Sequence, residues 1–124
     1  MNKKYNRGRL KEWAAKEILE AKGYNVTRTA GSHGAYDICA TRNDHIYYIQ
    51  HKRFAKATTR QKEAVVKAGF QKMKTAKIPN TDYAIPVMLL WIDYHGWEAY
   101  YAAQDDWQIV DAKDLLPEER LDIA

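Results

Sequence analysis

Residues 36–52 constrain the fold of this chain more than any other stretch. Tyr36–Arg42 and His45–Lys52 are β-patterned runs separated only by Asn43-Asp44, a pair suited to a tight two-residue turn. An antiparallel hairpin is expected. If Arg42 pairs with His45, counting back places Asp37 opposite Gln50 on one face. A register slip of one residue would send Asp37 to the other face, so the turn decides the chemistry. Along the second strand, Ile46, Tyr48, Gln50 and Lys52 share one side, while Tyr47, Ile49 and His51 share the other. Asp37 is the only acid between Glu20 and Asp44.

The remaining elements follow from periodicity. Residues 9–22 read as a helix with Leu10, Trp13, Ala14, Ile18 and Ala21 as its apolar stripe and Gly23 as its stop. Glu12 lies off that stripe, on a weaker apolar face with Ala15 and Leu19, which points it toward other protein. Tyr24–Thr29 reads as a strand with Tyr24, Val26 and Arg28 on one face, and 30–35 as a loop of small residues. A helix over 57–76 is expected to face inward through Ala64, Val65, Ala68 and Met73. Ile85–Asp93 and Trp97–Ala103 form a second hairpin, with Pro86 marking the beginning or an edge of its first strand. A short helix from Asp111 to Leu121, open to a break at Pro117, closes the chain. The order α-β-β-β-α-β-β predicts an α/β or α+β domain, a mixed sheet flanked by helices. At 124 residues the expectation is one domain over 1–124.

Composition narrows the function. No run approaches the roughly 20 apolar residues of a membrane span, and no signal-peptide core follows Met1. One cysteine, Cys39, excludes an internal disulfide framework and a multi-cysteine zinc site. His33, His45, His51 and His95 lack metal-ligand spacing. An intracellular, cytoplasmic protein without a membrane partner is expected, in the host cytoplasm if the gene is viral. The net charge of +4 hides an asymmetry: residues 1–77 hold 18 Lys/Arg against 6 Asp/Glu, and residues 78–124 hold 2 against 10. The surplus of 12 in the first segment attracts polyanions, and nucleic acid is the expected partner.

Hydrolysing a phosphodiester at neutral pH calls for a divalent metal that offsets phosphate charge and acidifies a water. Mg²⁺ takes hard oxygen ligands, commonly one or two carboxylates. Asp37 and Gln50 offer oxygen beside the Lys52 cation at a strand end, and the His51 carbonyl is placed to join the metal shell.

Glu12 in its helix, Gly23-Tyr24-x-Val26-x-Arg28-x-Ala30-Gly31-Ser32, Asp37-Ile38 and Ile49-Gln50-x-Lys52 together resemble the archaeal-type Holliday-junction resolvases of the PD-(D/E)XK nuclease superfamily. The resemblance is specific over residues 7–54 and looser through the basic helix and the Gly96-Trp97 hairpin. It implies a restriction-endonuclease-like mixed central β-sheet and a homodimer that resolves four-way, branched DNA with Mg²⁺, Mn²⁺ substituting. It also implies Glu12 and Asp37 as metal-binding carboxylates, Lys52 as the residue that orients the attacking water, and Ser32 as a contact near the scissile phosphate. Arg7, Arg9, Arg28, His33, Arg53, Lys56 and Arg60 would suit DNA-backbone contacts, which position without reading sequence. The run Lys62, Lys67, Lys72, Lys74 and Lys77 reads as a solvated helix face, and Trp91, Trp97, Tyr100 and Tyr101 as core or dimer interface.

The family pattern carries Glu where this chain has Gln50. A Gln carbonyl still ligates a hard cation but brings no charge, so metal should bind more weakly. Three readings stay open: a natural, active variant, a deliberate Glu→Gln exchange, or a junction binder that has lost cleavage. Other DNA substrates (duplex, flap or single strand) form the enzymatic alternative, and a structure-selective binding protein the non-enzymatic one.

Overall fold

A computed structural model describes residues 3–29 and 34–124, with side chains from Gly8 onward. Helix α1 (Lys3–Ala21) leads into β1 (Asn25–Arg28), β2 (Ile38–Arg42) and β3 (His45–Phe54). Helix α2 (Thr59–Thr75) then carries the chain over to β4 (Ala84–Ile92), β5 (Gly96–Ala102) and the two-residue β6 (Ile109–Val110). The six strands form one sheet in sequence order. Among the described residues only β3 and β4 pair in parallel, and their connection is the helical crossover that parallel neighbours require. The result is the mixed sheet with flanking helices that the sequence predicts. Among the described residues no helix is long and apolar enough to cross a membrane.

The hairpin forms in the expected register. Asn43 and Asp44 both take positive φ, 51° and 65°, as a two-residue hairpin turn demands. Arg42 pairs with His45 and Ile38 with Ile49, which leaves Asp37 opposite Gln50 just beyond the ladder. On the parallel side, Gln50 sits beside Met88 and Lys52 beside Leu90. Strand β4 is buried continuously from Ile85 to Leu90. Pro86 lies in the third position of β4, just before its ladder with β5 begins at Val87.

Two cores sandwich the sheet. On one face Ala15 and Leu19 of α1 meet Ile38, Ile49, Val87, Leu89 and Tyr101. On the other, Val66, Phe70 and Met73 of α2 meet Met88, Leu90 and Ile92. Both helices face inward only partly as their apolar periodicity predicts: Ile18, Val65 and Met73 do pack inward. In α1, however, Leu10 and Trp13 turn outward, 67% and 40% exposed, and the Ala15–Leu19 face packs on the sheet. In α2, Ala64 and Ala68 are exposed and Phe70 takes the central position. The turn above it comes very close: a Cβ on Gly69 would fall 2.2 Å from Met88 Sδ.

The expected helix from Asp111 to Leu121 is instead two 3₁₀ turns, Ala112–Asp114 and Pro117–Glu119. Pro117 holds Leu116 extended (ψ 146°), and Leu115 is extended as well (ψ 148°), so no α-helical run can span them. The tail is fastened all the same. Leu121 and Ile123 enter the α1-side core, and the Leu121 and Asp122 amides donate to the hydroxyls of Tyr101 and Tyr24.

Candidate active site

Strand β3 changes character at its C-terminal end, where Gln50, His51 and Lys52 succeed the apolar Ile49. Asp37, on the last residue before β2, meets them there. Its Oδ2 accepts from Gln50 Nε2 at 3.0 Å and from the His51 backbone N–H at 2.9 Å. Asp37, Gln50 and His51 are all buried. The His51 side chain points to the opposite face, toward Trp97, with ring centroids 5.8 Å apart. Burial, aided by the Lys52 charge, pushes its imidazole down to about 4. It is a neutral packing group whose contribution here is its main chain.

Glu12 arrives from α1. Its Oε1 accepts from Arg28 Nε at 2.9 Å and lies 2.8 Å from Arg28 Nη2. Burial pushes the Glu12 carboxyl above the usual carboxylate range; the Arg28 hydrogen bond opposes this and the Asp37 charge adds to it. These residues line one cleft of about 770 Å³ together with Arg9, Lys52, Arg53 and Lys56. Among the described residues two of its cations are internally paired, Arg28 with Glu12 and Arg53 with Asp93.

The donor set suits a hard cation. Among the described residues nothing hydrogen-bonds the buried Gln50 Oε1, a costly state for an amide oxygen unless something electropositive meets it. Beside it stand the carboxylates of Asp37 and Glu12, all oxygen, as Mg²⁺ or Mn²⁺ requires. Among the described residues no three His, Cys, Asp or Glu converge, because the third oxygen here belongs to an amide.

The structure therefore brings together Glu12, Asp37, Gln50 and Lys52, with Arg9, Arg28, Arg53 and Lys56 around them. Arg60, on the first turn of α2, does not line the cleft. Ser32, His33 and the Arg7 side chain lie outside the described residues. One charged cleft residue was not expected. Lys72, exposed on α2 as the solvated-face reading has it, also lines the cleft. Once Val66, Phe70 and Met73 define the inward stripe, Lys72 falls on its flank, three residues beyond Gly69 and seven beyond Val65. Correct placement of that stripe is the signal that would have found it.

A model of the archaeal Holliday junction resolvase family, Hjc, matches residues 3–77, the span that holds all four of these site residues and Lys72. The chain belongs to that family. Among solved structures it is similar to Archaeoglobus fulgidus Hjc, a Holliday junction resolvase from an archaeal hyperthermophile. That likeness has a TM-score of 0.52 at 16% identity and covers 86% of this chain and 85% of that one. At such identity it speaks for the fold alone. No curated protein sequence matches the chain.

Proposed function

We propose that this chain is a metal-dependent endodeoxyribonuclease that resolves four-way DNA junctions, working as a homodimer. The observation that carries this reading is the meeting of Asp37, Glu12 and the unpartnered Gln50 Oε1 in one cationic cleft. Glu12, Asp37 and Gln50 would hold Mg²⁺ or Mn²⁺, with the His51 main-chain carbonyl completing the protein's share. Bound there, such an ion supplies charge neutralisation on the phosphate and a more acidic water. Lys52 orients the attacking water and meets the charge that develops on the phosphate. Arg9 and Lys56 position the DNA backbone, joined by Arg7, Ser32, His33, Arg53 and Arg60 where the strand passes them. Selection of a junction rests on two sites held at a fixed separation by the dimer.

One contact favours a second reading. The Gln50 amide donates to Asp37, and an Asp37 oxygen so engaged is a poorer ligand, which would suit a junction binder that does not cut. Incubation of a labelled four-way junction and a matched linear duplex with Mg²⁺, Mn²⁺ or EDTA separates the two. Paired symmetric nicks in the junction, absent with EDTA, support the resolvase. Tight binding without nicks under every metal condition supports the binder, and equal cutting of the duplex points to another DNA substrate.

A further inference from the structure

The Arg28 guanidinium is held on two sides. Its Nε and Nη2 both engage Glu12 Oε1, at 2.9 and 2.8 Å, and its carbon lies 4.3 Å from the centroid of the Trp13 ring. The pair is partly buried, the Arg28 and Glu12 side chains being 20% and 17% exposed, so it is stronger than an ordinary surface bridge. Trp13 stands outside the core, and stacking on Arg28 gives this outward-facing indole a use. Arg28 nevertheless lines the cleft beside Asp37, where a DNA phosphate would lie.

The charges make this pairing consequential. Glu12 and Asp37 are the acids lining the cleft, against the cations Arg9, Arg28, Lys52, Arg53, Lys56 and Lys72. With Gln50 in place of an acid, the carboxylates are outnumbered and Arg28 already engages one of them. An incoming divalent cation must therefore compete with Arg28 for Glu12. A phosphate diester offers the guanidinium two oxygens in a geometry it matches well. We infer that Arg28 is a positioning residue shared between Glu12 and the DNA backbone, holding Glu12 in the free protein and releasing it when a phosphate arrives. Metal and DNA binding are then coupled through one side chain, and the coupling is reciprocal. This rests on the metal-dependent reading above.

The test uses the full chain without cleavage as its readout. Calorimetric titration of Mn²⁺ into the DNA-free protein should show Arg28→Gln binding tighter, on the order of tenfold, since one cation has left the ligand. Lys67→Gln makes the same charge change outside the cleft and should bind like the unaltered chain. Junction affinity, measured with EDTA and then with Ca²⁺, should rise with the metal in the unaltered chain and rise much less in Arg28→Gln. An Arg28→Gln protein with unchanged near-ultraviolet circular dichroism that binds Mn²⁺ no tighter overturns the inference, as does an equal Ca²⁺ increment in both. If Gln50→Glu binds Mn²⁺ in the same titration, such a failure belongs to Arg28 alone. Absence of Mn²⁺ binding from the unaltered chain, Arg28→Gln and Gln50→Glu together overturns the metal-dependent reading and the coupling with it.

Discussion

Residues 3–77 and residues 78–124 differ in almost every respect. The first segment holds the positive charge, the family match and every residue that lines the cleft. The second is acidic and lines none of it, yet it supplies β4, the most continuously buried strand. What passes between them is register. Parallel pairing of Gln50 with Met88 and of Lys52 with Leu90 fixes where β3 ends and so where its polar residues face. The tail returns to the first segment through ion pairs of Asp122 with Lys22 and Arg42. The candidate site is local to one half of the molecule, while its rigidity comes from the other.

If that division holds, Asp37→Asn should lower cleavage about a thousandfold, the several kcal/mol expected when a carboxylate ligand is lost. Junction affinity in gel-shift titration should stay unchanged. Retained cleavage would remove Asp37 from the site and erase the contrast. In the other half, Leu121→Ala should cost roughly 2–5 kcal/mol of stability by urea unfolding, because it empties a core position at 6% exposure. Its cleavage rate, measured well below the transition, should match that of the unaltered chain. A large loss of rate in a fully folded protein would show that the tail takes part in chemistry. The smallest expected effect belongs to Lys72. Lys72→Ala should weaken junction binding and reduce the slope of log affinity against log salt by about 1, the signature of one lost phosphate contact. Lys67→Ala, on the same helix but away from the cleft, should leave that slope unchanged.

How much of this was legible in the sequence depends on the distance over which each feature is decided. The β2–β3 register was readable because a two-residue turn fixes it locally, and the Asp37–Gln50 encounter followed. The inner faces of the helices were readable only in part. Leu10 and Trp13 are more apolar than Ala15, but a helix buries what its sheet has room for, and the small Ala15 fits where an indole would not. In α2 the deciding partner of Gly69 is Met88, nineteen positions away and on another strand. The Arg28–Glu12 pair joins a helix to an edge strand, and nothing in the spacing of sixteen residues announces it. The 3₁₀ turns of the tail were foreshadowed by Pro117 alone, while β6, two residues long, carries too little pattern to read.

The central claim is that Glu12, Asp37, Gln50 and Lys52 form a working phosphodiesterase site in which an amide replaces an acid. Its most direct test is the initial rate of four-way-junction cleavage by the unaltered chain and by Gln50→Glu, side by side across a Mg²⁺ titration. Restoring one ligand charge should tighten metal binding and raise the rate at low Mg²⁺ on the order of tenfold, about 1.4 kcal/mol, with both proteins cutting at saturation. A Gln50→Glu protein that cuts no faster at any metal concentration, or neither protein cutting at all, would contradict the account.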